Sequence, residues 1–116
     1  MGTNTLLFGW NRSIPGREKL SAEHFRQFVS YLSELQKNAT IQSFETVFLD
    51  CHGGDLNGFF LIRAEPARLD ALVATDEWLT HVTRADLHLQ GLGIVRGVTG
   101  QGVTDKINMW TKNLPA

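Results

Sequence analysis

Apolar and polar positions along the chain fall into two periods. Leu6-Leu7-Phe8-Gly9-Trp10 is a short apolar run that ends before the turn signal Pro15-Gly16, and it reads as a first strand. From Leu20 the period lengthens. Phe25, Phe28, Val29, Leu32 and Leu35 recur at three- and four-residue steps, the stripe of an amphipathic helix. Ser21 reads as its N-cap, Glu23 places charge on the first turn, and Leu20 and Phe25 sit at the two staple positions. Lys37-Asn38 closes the helix with a cation and a residue that tolerates left-handed backbone.

Strand texture returns at Ile41–Asp50 and again at Phe59–Glu65, separated by the polar, glycine-rich segment 51–58. The short link makes these two strands a hairpin, with Glu45 opposite Arg63 and with Phe44 and Phe48 sharing a face with Phe60 and Ile62. Pro66 suits a first helical turn, and Leu69, Leu72 and Val73 give that helix its stripe. Thr75 reads as a second N-cap before Trp78, Leu79, Val82 and Ala85. Leu87–Val98 is read as the last, central strand: Leu87, Leu89, Gly91, Gly93, Val95 and Gly97 on one face, His88, Gln90, Leu92, Ile94, Arg96 and Val98 on the other. A short helix from Thr104 to Leu114, with Val103, Ile107, Trp110 and Leu114 along one side, ends the chain.

The expected architecture is α+β, a βαββαβ order with a C-terminal helix. Two single-striped helices cover one face of a four-stranded sheet, and right-handed crossovers are expected to put the first and last strands at its centre. The open face would then carry Val47, Leu49, Phe59, Leu61, Leu92, Ile94 and Val98. That is too much apolar surface to leave in water, so a second copy related by a two-fold axis is expected to cover it. The block Asp76-Glu77-Trp78, Arg84-Ala85, Gly91-Leu92-Gly93-Ile94-Val95, Gly100 and Gly102 resembles small bacterial members of the dimeric α/β barrels, which have a ferredoxin-like fold. That resemblance implies a homodimer. It leaves the activity open among cofactor-free oxygenation, isomerisation of small ring compounds, haem chemistry and none.

At 116 residues, 42% hydrophobic and 20% charged, the chain is expected to form one globular domain over residues 1–116. A net charge of −1 with scattered basic residues argues against a nucleic-acid surface. No apolar run reaches a membrane-spanning length, there is no secretory leader pattern, and a single cysteine, Cys51, leaves no internal disulfide. A cytoplasmic location and no membrane partner are the expectation.

The candidate site is the set that strand parity directs at the open face: Glu45, Arg63, His88 and Gln90, with Trp10 at the end of the first strand. His88 would be a general base tunable to the working pH, Arg63 would bind a carboxylate or enolate oxygen, and Gln90 would orient a small organic ligand. The alternative is a non-enzymatic dimerisation module in which Glu45 and Arg63 neutralise each other inside a filled interface. Trp78 and His81, with Asn11, are the only hint of haem, and core packing explains Trp78 more simply. Asp50, Cys51, His52 and Asp55 lack a second ligand pair, so no metal and no permanent cofactor are expected. His24 reads as a surface residue.

Overall fold

The computed structural model describes residues 2–116. Strand β1 (Thr5–Trp10) and a two-residue strand β2 (Arg12–Ser13) precede helix α1 (Glu18–Lys37). The hairpin β3 (Ser43–Phe48) and β4 (Gly58–Arg63) follows, then helices α2 (Pro66–Val73) and α3 (Asp76–His88). Strands β5 (Leu89–Gln90) and β6 (Gly93–Gly97) lead to helix α4 (Gln101–Lys112). The main sheet is antiparallel in the order β3-β4-β1-β6, and β2 pairs with β5 in a separate ribbon. The central strands are therefore the first and third of the βαββαβ series, and β6 lies at an edge. The expected first-and-last centre is corrected because each crossover skips one strand position, which leaves room for β4 beside β1.

Parity along β1 and β4 sorts the two faces. Leu6, Phe8, Phe60 and Ile62 point to the helices and are almost fully buried, with Phe28, Leu32, Leu69 and Trp78 closing over them. The rings interlock: Phe8 lies 4.8 Å from Phe28 and 6.1 Å, edge-on, from Trp78. Ile94 pairs opposite Phe8 and Arg96 opposite Leu6, so both lie on the helix face, where Arg96 reaches Asp70 of α2 at 2.5 Å. Gly93, Val95 and Gly97 take the open face. The two faces of this strand are thus the reverse of the sequence reading.

The cause is the real end of α3. Trp78, His81, Ala85 and His88 keep helical spacing, so the helix runs on through His88. Gly91 then turns the chain with φ +65°, and a Cβ there would meet the Cβ of Asn11 at 3.0 Å. Helix α1 likewise starts earlier than expected, at Glu18 after Arg17, so Ser21 is one turn inside it and does not cap it. Thr75 does cap α3, accepting a hydrogen bond from the Trp78 amide. Helix α4 buries none of its residues; Val103, Ile107, Trp110 and Leu114 all face solvent. Among the described residues no helix is long and apolar enough to cross a membrane.

Two substitutions measure how much of this rests on packing and how much on local capping. In urea unfolding, Ile62→Ala, which empties a fully buried site between sheet and helices, is expected to cost about 2–5 kcal/mol. Thr75→Ala is expected to cost about 1 kcal/mol.

Candidate functional site

Helices α1 and α3 meet along a seam that is polar in chemistry although buried in place. From α1 come Ser21, His24 and Phe28, spaced by three and four residues. From α3 come His81, Ala85 and His88, spaced by four and three. The small Ala85 side chain, 1% exposed, sits between the two histidines on α3. The result is a continuous line of hydrogen bonds. His24 Nδ1 lies 2.7 Å from His88 Nε2, and His24 Nε2 lies 3.0 Å from His81 Nδ1. At the other end Ser21 Oγ lies 2.7 Å from His88 Nδ1, and Ser13 Oγ donates to Ser21 Oγ at 2.5 Å. The β2–β5 ribbon sets this end in place, because Ser13 pairs with Leu89 immediately after His88 and the Ile14 amide donates to the His88 carbonyl.

The geometry couples the protons of the three rings. A neutral imidazole has one N–H and one bare nitrogen, so a ring bonded through both nitrogens donates once and accepts once. The line can then run in only two senses. If Ser13 donates to Ser21 and Ser21 to His88, then His88, His24 and His81 all carry their proton on Nε2. If the sense reverses, all three carry it on Nδ1. A switch at one end forces a switch along the whole line.

The rings are held neutral. Relative exposures are 4% for His24, 8% for His81 and 6% for His88. Burial, with a smaller push from the Arg84 guanidinium, lowers the pKa of each below the usual histidine value. His24, flanked by the other two rings, falls to about 4. Glu77 pulls His81 slightly the other way, and Tyr31 stacks on His81 with centroids 4.4 Å apart.

The serine end of the line opens into a cavity of about 370 Å³. Its walls are aromatic, with Phe8, Trp10, Phe25 and Phe60 prominent, while Ser21, His24 and His88 supply its polar groups and Arg12 and Arg26 its charge. Neither arginine makes a side-chain hydrogen bond or ion pair among the described residues. The cavity lies between α1, the end of α3 and the helix face of the sheet. This is the side of the sheet opposite the open face, where the sequence reading expects a cavity.

The residues grouped from the sequence therefore separate. His88 and Trp10 line this cavity. Gln90 is exposed on the β2–β5 ribbon, outside the lining. Arg63 and Glu45 lie on the open sheet face, where they pair at 3.0 Å across the hairpin. Trp78 is core, 2% exposed against Phe8 and Phe28. Asn11 accepts from Asn57. Cys51 and its neighbours are exposed loop residues, and among the described residues no group of three or more histidine, cysteine or acidic side chains is arranged to hold a metal. Sequence reasoning missed Ser13, Ser21 and His24. The signal was present, since His24 stands four residues before Phe28 on the apolar stripe.

Among known proteins, no family model and no curated sequence matches the chain. Solved structures do. A dimeric protein of unknown function and ferredoxin-like fold from Bacteroides fragilis aligns with a TM-score of 0.61 at 9% identity, covering 85% of this chain and 98% of that one. The fold is ferredoxin-like. A second solved structure, PA3566 from Pseudomonas aeruginosa, aligns with a TM-score of 0.58 at 18% identity and covers 86% of this chain and 97% of that one. At these identities the ferredoxin-like likeness concerns the path of the backbone, and the histidine line is a feature of this chain's own residues.

Burial of His24 has a consequence in acid. Above pH 6.5 the ring is neutral in both folded and unfolded chains. Between 6.5 and about 4 the unfolded chain takes up a proton that the folded chain refuses, so stability falls as pH drops through that window. The lowered values of His81 and His88 act with the same sign. The urea midpoint is expected to fall from pH 7.5 to pH 5, and to fall less in His24→Gln. A midpoint that holds or rises on acidification contradicts the neutral line.

Proposed function

We propose that the chain is a homodimer that binds a small, largely apolar ring compound in the aromatic cavity and exchanges a proton with it at His88. The observation that carries this reading is the meeting of a neutral, hydrogen-bonded histidine with an apolar cavity of ligand size. Pockets of about 300–1,000 Å³ with apolar walls and a few convergent polar groups are the usual form of small-molecule sites. Burial, with a smaller push from Arg84, lowers the His88 pKa and so favours its neutral ring, the form a general base needs. Trp10 and Phe60, 5.6 Å apart, offer ring faces for stacking, and Arg12 and Arg26 favour a ligand bearing an oxyanion or carboxylate.

Dimerisation is the role assigned to the open face. Leu7, Val47, Phe59 and Leu61 are only half-buried there, and Val95 is 60% exposed. The exposed stripe on α4 adds further uncovered apolar surface, and the B. fragilis protein with the same backbone path is described as dimeric. Arg63 and Glu45 then act as a mutually neutralised pair in or beside that interface. This agrees with the dimerisation-module reading for this face, while ligand chemistry belongs to the helix side.

Two measurements test the proposal. Amide chemical-shift mapping with benzoate, phenol and small quinones is expected to move Ser13, Ser21, Ala22 and Leu89. His88→Ala should keep the aromatic walls of Phe8, Trp10, Phe25 and Phe60 but abolish proton exchange with a bound carbon acid. A panel that moves no residue of the cavity contradicts the ligand reading. In sedimentation at micromolar concentration the wild type is expected as a dimer and Leu61→Glu as a folded monomer. A monomeric wild type contradicts the interface.

A further inference from the structure

The serine end of the histidine line has the parts of a nucleophile. Resting on the cavity reading above, we propose that Ser21 is a catalytic nucleophile and that the site hydrolyses small aryl esters of carboxylic acids through an acyl-Ser21 intermediate. Ser21 Oγ lies 2.7 Å from His88 Nδ1, within reach for the ring to take its proton. The other nitrogen of that ring is held at 2.7 Å by His24 Nδ1. A serine, a histidine that removes its proton and a third group that orients the histidine form the triad logic. Here the orienting group is a second imidazole, and the line continues to His81 at 3.0 Å.

The cavity meets the remaining needs of the reaction. Ser21 and His88 line it together, beside the aromatic walls that suit an aryl or acyl group. Arg12 and Arg26 line it too, with no other residue claiming their side chains among the described residues. Their charge is available to the oxyanion that forms on the ester carbonyl. Ser13 donates to Ser21 Oγ, which turns the Ser21 proton toward His88 and sets the whole line running away from the cavity.

The steps balance. Ser21 Oγ bonds to the ester carbonyl carbon while its proton passes to His88 Nδ1. The imidazolium formed on His88 keeps its Nε2 proton in the hydrogen bond to His24 Nδ1, which orients the ring while it holds the charge. Collapse of the tetrahedral intermediate breaks the bond to the aryl oxygen. The aryloxide takes the proton from His88 Nδ1 as it departs and leaves as the phenol, which restores the neutral ring. Water next attacks the acyl carbon, giving one proton to His88, and the carboxylic acid leaves as Ser21 Oγ regains a proton. The sum is ester plus water to acid plus phenol. His24 holds the second nitrogen of His88 and His81 holds His24, so both act through His88 and are positioning residues.

The experiment is acylation of the full chain by para-nitrophenyl acetate, followed by nitrophenolate release and peptide mass mapping. Trypsin isolates Leu20–Arg26, in which Ser21 is the only serine. The expected result is a burst of one nitrophenolate per chain and an acetyl group on Ser21. His24→Gln should slow acylation by at least about tenfold, because the orienting partner is lost, and should change the pH profile of the burst while folding is retained by circular dichroism. Ser21→Ala should show no adduct on that peptide; the wild-type map decides the matter if this variant does not fold. Benzoate binding, followed by amide shifts at Ala22 and Leu89, separates the two levels of the argument. Binding without an adduct on Ser21, or acetyl groups only on lysines or imidazoles, overturns the nucleophile and leaves the cavity reading in place. Neither binding nor adduct overturns both.

Discussion

The hydrogen bonds that His24 makes through both ring nitrogens are the constraint on which the rest of the site depends. A buried imidazole without partners would lose the solvation of two polar atoms, a cost of about 1–3 kcal/mol for each unsatisfied group. His24 avoids that cost only because His88 and His81 are presented to it, seven residues apart on one face of α3. Helix α3 must therefore continue as far as His88, and Gly91 must turn the chain at once so that β5 can pair with β2. The ribbon in turn brings Ser13 to Ser21. One buried ring thus ties together the packing of two helices, the end of one of them and the serine pair at the cavity mouth.

The two faces of the sheet divide the labour. The helix face encloses the aromatic core, and at the end marked by Trp10 and Phe48 the core opens into the cavity. The open face carries the Arg63–Glu45 charge pair and half-buried or exposed apolar side chains on β1, β3, β4 and β6. Apolar area of this kind is stabilised by a partner surface, whereas the cavity is complete within one chain. On the proposed function, pairing and ligand chemistry would then use separate faces of the sheet.

Much of the fold was legible from periodicity. Phe25, Phe28, Val29, Leu32 and Leu35 locate α1, and parity puts Glu45 and Arg63 on one face of the hairpin; the register differs from the expected one by two residues, with Ser43 opposite Arg63 and Glu45 opposite Leu61, so the ion pair is diagonal. The site was less legible, for two physical reasons. Histidines count as polar in a hydrophobic pattern, so the spacing Trp78, His81, Ala85, His88 does not read as a continuing stripe and Leu87–Val98 reads as one long strand. A one-residue error in strand register exchanges the faces, which is why Ile94 and Arg96 were placed on the wrong side. Glycines at 91 and 93 also served opposite purposes, the first as a left-handed turn and the second as an ordinary strand residue with open space around it. Ser21 was recognised for its hydroxyl but given to the helix end. The preceding turn begins the helix at Glu18 and frees that hydroxyl for His88.

The most direct test of the coupled line is side-chain nitrogen NMR of the three rings at pH 7, with Ser13→Ala for comparison. The account predicts His24, His81 and His88 all neutral and all in the same tautomer, Nε2–H in the wild type where Ser13 orients Ser21. Any population moved by Ser13→Ala should appear as Nδ1–H in all three rings together. An imidazolium among them at pH 7, or rings in different tautomers, would contradict it.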